Sequence, residues 1–393
     1  MKPLAISACT LTTALGAGRA ATLEALRGER CGLSPARFLD VELSTWLGEI
    51  AGLDEVVLPS ALADYDCRNN RLAWLGLQQD GYADAVRAAR ERWGAHRVAV
   101  LLGTSTAGLL ETEIAYRHRG PGGELPPEVR YRERQNIYSL GAFVTAAFNL
   151  RGPSWVVSTA CSSSAKVYGT AARMIAAGLI DAAVVGGVDS LCLTTLYGFS
   201  SLELLSPEVC RPWDAQRRGL SIGEGASFAL LERDAPAREG WLLGIGESND
   251  GYHMSTPHPE GAGAVGAMRA ALADASLAPA DIGYVNLHGT ATPSNDAAED
   301  RAVGAVFGLE TPCSSTKGAT GHTLGAAGGV EAAICLLALR HGLLPAGLNV
   351  REIDPALHLN YLRENRMQSV RAVLSNSFGF GGTNASLVLG APE

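Results

Sequence analysis

The run "VVSTACSSSA", Val156 to Ala165, joins two kinds of structure. Trp155, Val156 and Val157 read as the end of an apolar strand. From Ser162 to Gly178 helix breakers are few, and Val167, Ala171 and Ile175 recur at i, i+4 and i+8 on one face. Lys166 and Arg173 share another stripe, so the segment predicts a mostly buried helix. The thiol of Cys161 stands at the junction. Free backbone N–H groups and the helix dipole favour an anion there, so a populated, nucleophilic thiolate is expected. The small neighbours leave room for a bulky substrate. Taken alone, the same stretch also fits a buried structural thiol.

The pattern repeats outward from this junction. Short apolar runs at 97–103, 182–188, 282–289 and 372–378 predict buried strands, alternating with helical segments at 68–94, 263–277 and 331–342. That alternation is the α/β signature. "TACSSSAKVYG" in the first half has a counterpart in "TKGATGHTLGAAGG" in the second, which points to two similar halves, 1–240 and 241–393, joined near 232–242.

The chain has 393 residues, 47% of them hydrophobic, enough for a large core. A net charge of −8 argues against a nucleic-acid partner. Apolar runs fall short of a bilayer span and the N-terminus lacks a signal-peptide h-region, so a cytoplasmic chain with no membrane span is the expectation. The eight cysteines show no C-x-x-C spacing and read as reduced thiols. No grouping has zinc-site spacing, and no metal is expected.

The second half supplies the partners for the thiol. His288 ends the strand in "NLHGTATPSND" (286–296), and Lys317 and His322 lie in the Gly-rich turn of "STKGATGHTLGAAGGVE" (315–331). "SNSFGFGGTNAS" (375–386) is another Gly-rich turn. In α/β folds such strand ends collect ligands. Two imidazoles beside a thiol could hold a carbonyl oxygen as charge builds on it. Lys317 could set the imidazole's hydrogen bonding, with Glu331 as its carboxylate partner.

These four motifs, in this order, resemble the β-ketoacyl-[acyl-carrier-protein] synthases, most closely the elongating synthase I/II group, over nearly the full length. "CRPWDAQRRGLSIGEGA" (210–226) and "DGYHMSTPHPEG" (250–261) share the likeness. The resemblance implies the thiolase fold, a duplicated five-layer α-β-α-β-α architecture. It implies decarboxylative Claisen condensation with no cofactor beyond the substrates' phosphopantetheine. Cys161 matches the acylated nucleophile, His288 and His322 the decarboxylating pair, and Lys317 and Glu331 the supporting ion pair. Phe380 matches the oxyanion hole and, with Phe378, the gate. Thr290, Thr292 and Ser255 match the substrate-binding positions for the pantetheine arm. The small Ser105, Thr106 and Ala107 fall where the acyl pocket's floor is expected. "CRNNRLAWLGLQQ" and "TSTAGLLETE" are similar to synthases of bacterial aryl-polyene clusters.

The implied partners are an acyl carrier protein and a second subunit, a homodimer or a heterodimer with a chain-length factor, meeting through the segment before Cys161. Carriers are acidic, so a local basic surface is needed. Arg68, Arg71, Arg117, Arg119, Arg130, Arg132 and Arg134 are the candidates. A thiolase would carry a second catalytic cysteine after Cys335, and an initiating synthase an Asn in place of His322; this chain has neither. The remaining alternative is a non-catalytic or decarboxylase-only chain-length partner, which lacks the nucleophilic Cys.

Overall fold

In the computed structural model, which describes residues 1–236 and 238–392, ten strands form one continuous mixed sheet. They are β1 (Leu4–Thr13), β2 (Val98–Gly103), β3 (Ser154–Val157), β4 (Ala182–Asp189) and β5 (Gly225–Glu232), then β6 (Gly240–Asn249), β7 (Tyr284–Asn286), β8 (Cys313–Ser314), β9 (Ala372–Gly379) and β10 (Thr383–Gly390). A two-residue strand, Gly16–Ala17, hangs on β1. The main helices are α1 (Arg68–Leu77), α2 (Tyr82–Trp93), α3 (Leu109–Arg117), α4 (Ser139–Phe148), α5 (Ser163–Ala176), α6 (Ala262–Ala275), α7 (Pro293–Phe307) and α8 (Ala327–His341).

The spatial order is β8-β7-β9-β10-β6-β1-β5-β4-β2-β3. Outward from the centre, β1–β5 and β5–β4 are antiparallel, while β4–β2 and β2–β3 are parallel. The other side repeats the sequence: β6–β10 and β10–β9 antiparallel, β9–β7 and β7–β8 parallel. The two sets therefore share one topology. Among the described residues the two sets pair with each other only where Leu4–Ile6 meets Gly240–Leu242.

Strand alternation builds the layers. Val98, Val100 and Leu102 face α1, α2 and α4, whereas Ala99 and Leu101 face a central layer of α5 and α8. Val373 and Leu387 of the second set enter that same central core, while Leu374 and Val388 face α6 and α7 on the far side. The result is α-β-α-β-α. Val167, Ala171 and Ile175 of α5 are all buried in the centre. Gly328 of α8 lets the two central helices touch, since a Cβ there would lie 2.7 Å from the Cβ of Ala165.

Two features differ from expectation. The helix expected over 68–94 is two helices, broken because Asp80 and Gly81 take left-handed φ of 58° and 70°. Asp80 accepts from the Arg19 N–H and the Thr10 hydroxyl instead of continuing the helix. The window Leu324–His341 is long and apolar enough to cross a membrane, but it is 89% buried as the central core helix. Of the 232–242 connection, Ala237 lies outside the described residues.

Candidate functional site

The strand ends of both sets bring Cys161, His288 and His322 together. Cys161 follows Ala160, held at φ 51°, and precedes α5 by two residues. This sharp turn lifts the thiol to the face where the second set delivers its imidazoles. His322 Nε2 lies 3.1 Å from the Cys161 sulfur. The reactive atoms of Cys161, His288 and His322 all fall within 4.8 Å of one another, and the two rings meet edge-on at 5.3 Å. All three side chains are buried.

The outer ring nitrogens fix the tautomers. His322 Nδ1 accepts the Leu324 N–H at 3.1 Å. His288 Nδ1 lies 3.4 Å from the Lys317 ammonium, which also donates to the His288 carbonyl and to Glu331. An ammonium and an amide can only donate, so both Nδ1 atoms accept and each neutral ring carries its proton on Nε2. Burial first, then the Lys317 charge, holds both imidazoles well below their ordinary pKa. For His288 the neighbouring His322 acts in the same direction. Metal-ligating imidazoles show the reverse pattern, with the outer nitrogen donating. The cluster therefore presents an N–H donor from His322 to the sulfur, with His288 within 4.8 Å, and is not suited to hold a cation.

The thiol itself departs from expectation. Burial pushes Cys161 up to about 11, outweighing the Lys317 charge and the Phe380 backbone N–H that favour the thiolate. The balance favours the protonated thiol near neutral pH, because desolvation exceeds the stabilisation that Lys317 and the Phe380 N–H give the thiolate.

Thr290, Thr292, Ser255, Phe378 and Phe380 line the cleft leading to Cys161. The two threonine hydroxyls bond each other at 2.9 Å. Phe378 lies against the His288 ring and Phe380 against Phe199, at 5.9 and 5.5 Å. Glu331 meets Lys317 as a buried ion pair.

The expected basic surface is corrected at Arg68. Arg68 is 5% exposed and holds buried Glu224 through two bonds of 2.7 and 2.8 Å, so it is unavailable to a partner. Arg71 is bound by Asp66, and Arg117 by Asp40. Arg119, Arg130 and Arg134 donate to nearby backbone carbonyls, while Arg132 is exposed.

Buried carboxylates were missed by the sequence reading. Glu299 accepts the N–H groups of His288 and Gly289, both at 2.8 Å, and so fixes the turn that carries His288. Asp189 ends β4 and gathers donors from both halves. An acidic residue closing an apolar strand was the available signal.

Comparison with known proteins agrees with this geometry. Residues 70–237 match the family described as "Beta-ketoacyl synthase, N-terminal domain", and residues 240–351 match "Beta-ketoacyl synthase, C-terminal domain". The chain is 35% identical to 3-oxoacyl-[acyl-carrier-protein] synthase 2 of Coxiella burnetii over 78% of this chain and 80% of that one. It is 36% identical to nodulation protein E of Rhizobium meliloti over 74% and 75%. Among solved structures it is similar to the ketosynthase ApeO of Xenorhabdus doucetiae, in complex with its chain length factor ApeC. That match has TM-score 0.91 and 39% identity, covering 99% and 98% of the two chains. A β-ketoacyl synthase from Burkholderia phymatum aligns at TM-score 0.88 with 31% identity over both full chains. With the sulfur and both imidazoles in place, the chain belongs to the β-ketoacyl synthase family and is a condensing acyltransferase.

Proposed function

We propose that the chain extends acyl thioesters carried on an acyl carrier protein, with Cys161 as acyl acceptor and malonyl carrier as extender. The observation that carries this reading is the pair of neutral imidazoles gathered within 4.8 Å of one sulfur, with His322 Nε2 in contact with it.

In the first half-reaction the Cys161 sulfur attacks the carrier's acyl thioester. The new C–S bond forms, the carrier's C–S bond breaks, and the thiol proton passes to the departing carrier thiolate. The backbone N–H groups of Cys161 and Phe380 are the proposed donors to the thioester oxygen. Because burial favours the protonated thiol, donation to the sulfur from His322 matters as negative charge develops on it.

In the second half-reaction malonyl carrier loses CO₂. The electron pair of the broken C–C bond becomes an enolate whose oxygen lies between His288 and His322. Neutral rings suit this task, since each already carries its proton where the oxygen arrives. The enolate carbon attacks the Cys161 thioester and expels the cysteine sulfur, which takes a proton from water. The carrier leaves with a β-ketoacyl group. Thr290, Thr292 and Ser255 are the assigned contacts for the pantetheine arm.

The strand edge supplies the second subunit's place. Among the described residues β3 pairs with β2 alone, and Trp155 within it is 51% exposed. We assign this edge to a dimer contact with a second copy or a chain length factor. Similarity to a ketosynthase solved with its chain length factor supports the latter, and with it a specialised polyene- or polyketide-type pathway. The eight free thiols fit work in the reducing cytoplasm.

The test is intact-protein mass spectrometry with acyl carriers, followed by malonyl carrier. A mass gain absent in Cys161→Ala is expected. His288→Ala should keep the gain and lose CO₂ release; retained condensation in that variant would overturn the assignment.

A further inference from the structure

Asp189 is 0% exposed and lies outside the reacting cluster, yet five donors converge on it. Its Oδ1 accepts from the Thr104 and Thr106 hydroxyls, both at 2.7 Å, and from the N–H groups of Ser105 and Thr106 at 2.7 and 2.9 Å. Its Oδ2 accepts the Gly325 N–H at 2.5 Å. One oxygen thus holds the turn after β2, and the other holds a turn of the second half.

That second turn sets His322. Leu324, next to Gly325, is held at φ 51°, a conformation L-residues rarely adopt without support. In it, the Leu324 N–H points at His322 Nδ1. Gly325 permits the close approach: a Cβ there would lie 2.7 Å from the Ser105 hydroxyl and 2.8 Å from Asp189 Oδ2.

We propose that Asp189 is a positioning residue for the condensation. It holds Gly325, thereby the left-handed Leu324, and thereby the His322 tautomer that aims Nε2–H at Cys161. It also ties that tautomer to the Thr104–Thr106 turn of the first half. The proposal rests on the role given above to His322, and its test separates the two.

The decisive variant is Asp189→Asn. With the amide oxygen kept toward the four donors of the first half, the amide nitrogen replaces Oδ2 and faces the Gly325 N–H, donor against donor. The Leu324 turn should relax and release Nδ1. Histidine ¹⁵N spectra of the full chain, with His322 assigned by its absence in His322→Asn, should show Nδ1 unprotonated in the natural protein. A mixture of tautomers should appear in Asp189→Asn. Malonyl decarboxylation should fall roughly ten- to a hundredfold, as when a partner orienting a functional imidazole is lost. Thr106→Val, which removes one donor and leaves Gly325 untouched, should move both readouts the same way by less. It decides the matter if Asp189→Asn does not fold.

An unchanged His322 tautomer in a folded variant, whatever its activity, overturns the proposal. Unchanged decarboxylation beside a changed tautomer overturns it too. Absence of decarboxylation in the natural protein would instead remove the function assigned above, while the tautomer comparison would still stand.

Discussion

Lys317 sits between His288 and Glu331, its ammonium 3.4 Å from one ring nitrogen and paired with the carboxylate of the other. All three groups are buried, so the lysine does two things at once. It keeps Nδ1 of His288 an acceptor and compensates a carboxylate that burial pushes up to about 7.

Lys317→Met should therefore lose decarboxylation and also destabilise the fold by about 3–5 kcal/mol, the typical result of breaking a buried pair. Lys317→Met with Glu331→Gln should regain much of that stability without regaining activity. Thermal melts and CO₂ release measured side by side check both halves.

The raised pKa of Cys161 gives a signed pH dependence. Below about 11 the thiol form dominates, so alkylation by iodoacetamide should keep rising with pH through 8 and 9. In Lys317→Met the remaining charge that favours the thiolate is gone, and the rise should shift to still higher pH. A plateau below pH 8 in the natural protein would contradict the burial argument.

Arg68→Ala should cost stability, not carrier affinity. Removing the guanidinium leaves Glu224 buried against two backbone N–H groups, those of Ile50 and Leu191. A loss of about 3–5 kcal/mol in urea unfolding is expected. The KM for carrier substrates in the folded fraction should not change.

Trp155→Arg should weaken subunit association through the β3 edge. Sedimentation velocity, on the chain alone and with a chain length factor, should show a smaller species than the unaltered chain gives. Unaltered assembly in both mixtures would place the contact elsewhere.

What could be read in the sequence, and what could not, follows from where the information lies. Cys161, His288, Lys317 and His322 stand in short turns whose residue types state their chemistry; the alternation of strands and helices declared the α/β class, and the family resemblance implied the five layers. Asp189 and Glu299 were hidden because most of their partners are backbone N–H groups, which every residue possesses. Arg68 was misjudged because side-chain type carries no record of burial. The break at Asp80–Gly81 depended on Thr10 and Arg19, some sixty or more residues distant.

The shared topology of the two strand sets has a consequence for how such a site can arise. Cys161 lies between β3 and α5, and His322 lies between β8 and α8, so nucleophile and imidazole occupy matching stations of two copies. Neither copy holds a complete reaction centre. Chemistry begins only where two sets of one topology carry different residues at matching stations, and a change that reshapes one set must be answered by the other.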